Sequence, residues 1–321
     1  MKLKDFYQKA VAAGIKNDLR PPQEITSLLE TEKEKYNKLS DEEKEVFDLD
    51  VLFNPYADSR ILFGDPEVEV NRLLAGIDME VSEVLLAYVL NKERSEKFDL
   101  ILAHHPEGRA LAQLYQVMGL QVDLYIQAGV TPSLAEQLME KRRGEVERRF
   151  LPLNHHRTVD VACLLNLPMI CLHTVADNCV AKYLTDLFKE KNPVRLKDVL
   201  AILREIPEYK KSSRQAVPPR LLNGSEDSRA GKIYVDMTGG TEGPKDIFSQ
   251  QVLAGVSTLV GMHFSEEALE KCKSAKLNVI VAGHMASDTL GLNLLLDQIE
   301  KEADEKLEVT GISGFERIKH L

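Results

Sequence analysis

The sequence predicts an α/β protein of two β-α-β lobes, with mostly parallel or mixed sheets covered by helices, preceded by a helical N-terminal extension. Three observations predict it. Short apolar runs such as LILA and VIVAG are continuous rather than alternating, as strands buried on both faces of a parallel sheet require. Between them lie stretches whose apolar residues recur three and four apart, the period of a helix resting on a sheet. The same strand-helix plan occurs on both sides of a polar stretch containing prolines and glycine.

Residues 1–62 read as helical and charged. LLETEKEKYNKLSDEEKEVF is dense in Glu and Lys, which suits an exposed helix or hairpin that covers or bridges subunits and carries no chemistry. The first lobe spans 63–210. In it VNRLLAGIDM reads as a strand, and VSEVLLAYVLNKERSE as a helix with Val81, Val84, Leu85, Tyr88 and Val89 at helical spacing. FDLILAHHP is a strand ending in two histidines. A charged helix over 133–150 leads to a further helix, a buried strand over 168–172, and a helix starting at Asp177 with Val180, Leu184, Leu187 and Phe188 inward. Residues 211–230 have the composition of a linker or mobile loop. The second lobe, 231–321, runs from the strand KIYVDM through a Gly-rich turn, a helix to Leu253, the strand STLVGM, a helix over 266–275 and the strand LNVIVAG. A helix from His284 to Ala303 and a last strand, KLEVTGI, complete it.

Bulk properties bound the function. The 321 residues are 44% hydrophobic, enough for a sizeable core in two lobes. A net charge of −10 repels nucleic acid and anionic membrane, so no direct nucleic-acid binding is expected. No apolar run approaches the roughly 18 to 20 residues that cross a bilayer. MKLKDFYQKAVAAG carries charges throughout and does not read as a secretory signal, so a cytoplasmic location is expected. Cys163, Cys171, Cys179 and Cys272 form no CxxC pair and read as small reduced core residues.

Metal-type ligands stand at the carboxyl ends of three predicted strands. His104 and His105 end LILA, His173 and Asp177 follow MICL, and His284 and Asp288 follow VIVAG. Ligands of open α/β sheets gather there. His284 and Asp288, four apart, share one face of a helix's first turn. A cation near that positive helix end needs the carboxylate to neutralise it. His104 and His105 would diverge on an extended strand, but the chain turns at the strand end and Pro106 fixes the backbone, so each could serve a different ion. Two ions about 3.5 to 4 Å apart, bridged by a carboxylate, are the layout of many dinuclear hydrolases. Imidazole with carboxylate suits Zn, Mn, Fe, Co or Ni. His173 alone also fits a hydrogen-bonded structural residue. The turn Thr238–Lys245 lacks the Walker pattern. Its amides could hold an anion, or its glycines could serve left-handed backbone angles.

The order DLILAHHP, HTVAD, GGTEG and VIVAGHMASD resembles the NIF-three-like family of dinuclear-metal proteins, often described as GTP cyclohydrolase type-two homologues. The likeness runs from about Val70 to Leu321. It implies a toroidal homohexamer whose metal sites line an inner cavity. The family's His-His pair, the Asp of its HTxxD motif, and the His and Glu of its GHxxxE motif hold two divalent metals. These correspond to His104, His105, Asp177, His284 and Asp288. Asp288 stands where the family has Glu, one methylene longer, and Thr174-Val175-Ala176 stands where it has threonine-asparagine-leucine. Residues 1–60 and 188–232 have no family counterpart. The expected function is a metal-dependent hydrolase of a small phosphorylated or nucleotide-like substrate, using water whose pKa the metals lower toward about 7. In that reading His173 positions the nucleophile, and Gly239, Gly240, Thr241 and Gly243 meet the anionic part of the substrate. The alternative is a non-catalytic hexameric metal-binding scaffold or regulatory protein that recruits a partner through its extensions.

Overall fold

The computed structural model describes residues 1–320. The chain begins with α1 (Leu3–Lys16), α2 (Pro22–Lys38), α3 (Asp41–Glu45) and a 3-10 turn. The first sheet follows, with β1 (Ser59–Phe63), β2 (Arg72–Gly76), α4 (Val81–Glu93) and β3 (Leu100–Ala103). Five helices then intervene: α5 (Gly108–Ala112), α6 (Leu114–Val117), α7 (Gly119–Gln127), α8 (Pro132–Phe150) and α9 (Arg157–Leu164). Next come β4 (Met169–Leu172), α10 (Thr174–Lys191), α11 (Leu196–Glu205) and α12 (Pro207–Arg214). The second sheet uses β5 (Arg220–Asn223), β6 (Lys232–Asp236), α13 (Ile247–Leu253), β7 (Val256–Gly261), α14 (Glu266–Ser274), β8 (Asn278–Val281) and α15 (His284–Ala303), and the last strand is β9 (Glu308–Ile312).

The sheets run β1-β4-β3-β2-β9 and β5-β8-β7-β6. Every pairing is parallel except the antiparallel edges β1 and β5. The wholly buried runs LILA and MICL are therefore inner strands, as their lack of alternation requires. Among the described residues no helix is long and apolar enough to cross a membrane.

The two units repeat one another closely. Residues 59–78 and 219–238 superpose in sequence without a gap, matching Arg60 with Arg220, Leu62 with Leu222 and Gly64 with Gly224. Both glycines have positive φ, +126° and +110°, at the turn after the edge strand. Each unit opens on Leu-Lys-Asp, at Leu3 and at Leu196. The docking bonds match too: Leu3 N donates to Val68 O at 2.9 Å, and Leu196 N to Ser228 O at 3.0 Å. The second unit thus begins near α11. Residues 211–230, expected as a linker, hold the end of α12 and all of β5. Proline and partial exposure suit an edge strand but hide it from a search for apolar runs.

Two further expectations are corrected. The last strand, expected in the second lobe, pairs with β2 of the first sheet, because α15 packs against α10 and α1 and delivers the chain to that edge. The N-terminal segment is helical as expected, and α2 and α3 are solvent-facing, with Ile25 the one buried residue of the two. Helix α1 is core: Leu3, Phe6 and Ala10 are fully buried, and it lies on α10 where Gly14 meets Val175. Of the cysteines, Cys171, Cys179 and Cys272 are buried and Cys163 is exposed, and all four are free.

Candidate metal centre

Three strand ends of the two sheets meet at one point. Beyond β3 the backbone stays bonded to the extension of β2, His104 N donating to Gly76 O and His105 N to Ile77 O, each at 2.9 Å. The chain turns there, so the two rings do not diverge, and their centroids lie 5.3 Å apart. Helix α10 begins at Thr174 rather than Asp177, which sets His173 at its N-cap and Asp177 in its first turn. Helix α15 begins at His284, as expected, with Asp288 one turn on.

The side chains converge. His104 Nε2 lies 3.5 Å from Asp177 Oδ1 and 3.6 Å from Asp288 Oδ1. His105 Nε2 and His284 Nε2 each lie 3.4 Å from Asp288 Oδ2. One oxygen of Asp288 therefore faces His104, and the other faces His105 and His284. The donor atoms of His104, Asp177 and Asp288 are all within 4.8 Å of one another, and so are those of His105, His284 and Asp288. His173 stands beside them, with its ring 4.9 Å from that of His104.

Each of the first-unit rings is oriented from behind. His104 Nδ1 donates to Leu172 O at 3.2 Å, His105 Nδ1 to Asp78 Oδ1 at 2.7 Å, and His173 Nδ1 to Asp58 Oδ2 at 2.8 Å. These partners only accept, so they hold a proton on Nδ1 and turn each ring's Nε2 toward the centre, as at metal-bound histidines. His104 Nε2, Asp177 Oδ1 and both oxygens of Asp288 are buried with no hydrogen-bond partner. Buried unpaired acceptors are costly and rare. A cation at this point satisfies all four, and a nitrogen–oxygen donor set suits the middle and later first-row metals. These groups could hold a metal ion.

A solved NIF3 superfamily protein from Sphaerobacter thermophilus matches the chain with a TM-score of 0.69 and 28% identity, over 80% of this chain and 91% of that one. The chain is similar to NIF3-like proteins. Reduced HcgD from Methanocaldococcus jannaschii shares the fold at a TM-score of 0.52 and 14% identity, over 84% of this chain and 94% of that one. No family model matches the chain, and no curated protein matches it significantly.

In this NIF3-like chain the internal repeat makes HTVAD and HMASD equivalent, both at a strand-to-helix junction. His173 corresponds to His284, and Asp177 to Asp288. His105 corresponds to His263, two residues beyond β7, whose ring lies 4.8 Å from that of His284. Sequence reasoning missed His263, Asp58 and Asp78. The repeat would have pointed to His263, whereas Asp58 and Asp78 have no local signature and meet their histidines only through the fold.

The field of the centre is strongly shaped. Burial opposes ionisation of Asp288, but His104, His105 and His284 outweigh it and hold the carboxyl far below its ordinary range. Burial lifts Asp177 to about 6 against the pull of His173 and His104. Burial lowers His284 to about 4. At His173 burial is overcome by Asp177 and Asp58, which raise the imidazole to about 9.

The glycine turn has a structural account. Gly239 and Gly240 have φ of +99° and +85°. A Cβ on Gly239 would sit 2.5 Å from Gln121 Cγ, and Gly243 lies against the Tyr125 hydroxyl with no room for one. Gln121 Nε2 donates to the carbonyls of Gly239 and Thr241 at 3.0 and 2.6 Å. The cavity that Gly240 and Thr241 share with the centre is about 70 Å³ and is also lined by Asp236 and Glu242. Two carboxylates and so little space disfavour an anion there, so the glycines serve backbone angles and close packing.

Asp236 yields a stability prediction. Burial, reinforced by Glu242, lifts its carboxyl from an ordinary 3.8 to about 7. Between those values the folded chain binds a proton that the unfolded chain has lost, so stability falls as pH rises through that window. In chelator-treated protein, Asp236→Asn is expected to stabilise by on the order of 2 kcal/mol at pH 8, after discounting for solvent screening, and by almost nothing near pH 4. Thermal melts at the two pH values check this. Equal melting temperatures for variant and wild type at pH 8 would refute it.

Proposed function

We propose that this protein binds two divalent cations and uses them to hydrolyse a small phosphorylated or heterocyclic substrate, as a homohexamer. The observation that carries the reading is the split carboxylate of Asp288, with Oδ1 facing His104 and Oδ2 facing His105 and His284. His104, Asp177 and Asp288 would hold one cation, and His105, His284 and Asp288 the other. When bound, such a pair supplies Lewis acidity and makes water acidic enough to ionise near neutral pH.

The chain's own residues do the rest. Asp58 and Asp78 fix the ring planes of His173 and His105. Thr174 Oγ1 and Ser59 hold the Asp58 end of this support, through a 2.6 Å bond to Asp58 Oδ2 and a 3.1 Å bond from His173 N to Ser59 Oγ. His173 Nε2, 3.8 Å from Asp177 Oδ2, would take up or return a proton inside the centre. Self-assembly draws support from Leu85, Leu86 and Val89 on one side of α4 and Leu164 on α9, which are 45, 40, 45 and 85% exposed. Such a cluster of exposed aliphatics suits contact with another copy.

The test loads the full chain with Mn²⁺ or Zn²⁺ and screens phosphoesters and nucleotides against wild type and His104→Ala. Turnover in the wild type is expected to exceed the variant's by at least about a hundredfold. Equal rates with metal bound to the wild type would leave a metal-binding scaffold, a reading that the solvent-facing helix α2 also favours as a point of partner contact.

A further inference from the structure

The second sheet is one strand short of the first. The repeat matches β1, β4, β3 and β2 with β5, β8, β7 and β6, in the same order and with the same directions. The first sheet adds a fifth strand, β9, paired parallel on the outer edge of β2. Among the described residues nothing takes that place beside β6, which ends its sheet. The connections show why. Helix α15 leads into β9, whereas its counterpart α10 leads through Pro193 into α11, and a proline has no N–H to give a ladder.

The edge is open along its backbone. In the first sheet Asp99 N donates to Arg72 O and Glu308 N to Asn71 O, at 2.8 and 2.9 Å, so successive residues of β2 point their carbonyls to opposite neighbours. Asn71, Leu73, Ala75 and Ile77 therefore face β9 and its extension, and Ile77 N donates to Ser313 O at 3.0 Å. Their matches in the second sheet are Gly231, Ile233, Val235 and Met237. The bonds made by Asn71 O and Ile77 N have no counterpart at Gly231 and Met237. A groove of about 340 Å³ runs along this edge, between α7 and the last turns of α10. Every residue from Gly231 to Val235 lines it, as befits an edge, since a sheet face shows only alternate residues. Leu73 and Leu74 are fully buried beside β9, but the matching Ile233 and Tyr234 stay partly exposed.

Charge states what the missing strand should carry. Arg72 opens β2 and pairs with Glu308, which stands opposite it at the start of β9. Lys232 holds the Arg72 position in β6. Its ammonium donates to Ala128 O at 2.7 Å, at the end of α7, and meets no carboxylate among the described residues. Lys189 is the other charged residue of the lining, which includes no carboxylate. We propose that β6 receives an extended segment of a partner protein as a fifth, parallel strand, with an acidic residue of that segment opposite Lys232 and aliphatic residues after it. In strand addition main-chain bonds give affinity and side chains give selectivity. A second copy of this chain could offer β9 only by stripping its own β2, so the occupant is a different protein. The site is independent of the metal reading.

The probe is a fluorescent peptide of residues 307–312, LEVTGI, titrated by anisotropy against the full chain. Saturable binding is expected, and a peptide carrying Glu308→Lys should bind about tenfold more weakly. In β9 the amide of Thr310 faces β2 and that of Val309 faces away. N-methylation at Thr310 should therefore abolish binding, and N-methylation at Val309 should leave it within about twofold. Lys232→Glu should reverse the preference between the acidic and basic peptides. Thr185→Trp fills the groove from α10 and should abolish binding of both, which places the peptide if the Lys232 variant folds poorly. No saturable binding to the wild type, equal binding of all four peptides, or binding indifferent to both protein variants overturns the proposal.

Discussion

Replacing Asp288 with alanine is expected to empty both halves of the centre at once. Each of its oxygens faces different imidazoles, so on the proposed reading one side chain would serve both cations. It is also the principal negative charge holding His104, His105 and His284 together, since all three pull its carboxyl down. Without it the second set keeps two imidazoles and no anion, and the first keeps one imidazole and Asp177. Metal analysis after equilibration with Mn²⁺ or Zn²⁺ should fall from about two ions per chain to well below one. His284→Ala should lose one ion and keep the other, because His104 and Asp177 are untouched. A variant lacking Asp288 that still carried the wild-type amount of metal would eliminate the bridging role.

Gly291→Val should damage stability and metal affinity together. Gly291 sits where α15 crosses α10, and a Cβ there would lie 2.6 Å from the carbonyl oxygen of Ala176 and 3.1 Å from its carbon. The obstacle is backbone in a fully buried position, so no flexible side chain can yield. The helices must move apart, at a cost of about 3 kcal/mol, with a melting temperature lower by on the order of 6 °C. Asp177 rides on α10 and Asp288 on α15, one turn from the crossing, so the separation also spoils the donor distances. Gly119→Ala is the control: nothing lies within 4 Å of its added Cβ, and it should be neutral or stabilising. A melting temperature for Gly291→Val equal to that of the control would show that the crossing is looser than described.

What was legible in the sequence follows from where each signal was stored. The inner strands announced themselves because burial on both faces leaves no polar positions, as in Leu100–Ala103 and Met169–Leu172. The candidate ligands His104, His105, Asp177, His284 and Asp288 were legible because each ends such a strand or opens the helix after it, and the structure brings their side chains into two overlapping groups that could hold a metal ion. The edge strands β5 and β9 carry weaker signals, half-exposed and partly polar, so by sequence one has the composition of a linker and the other shows nothing that assigns it to the first sheet. Helix α1 was hidden by its neighbour, since the charge of the segment comes from α2 and α3. Asp58 and Asp78 were invisible for a different reason. A carboxylate that orients a histidine is defined by a contact across the chain, with 115 positions separating Asp58 from His173.

The doubled plan of the chain bears on how such a centre arose and how it fills. A single ancestral half would offer an incomplete donor set and would need a second copy of itself, related by two-fold symmetry, to close the site. In a single chain the two halves are under no obligation to stay alike. One junction now carries His104 and His105, and its counterpart carries Met262 and His263. If two cations occupy such unlike surroundings, as proposed, they would bind with different affinities, and a titration should show them entering one after the other.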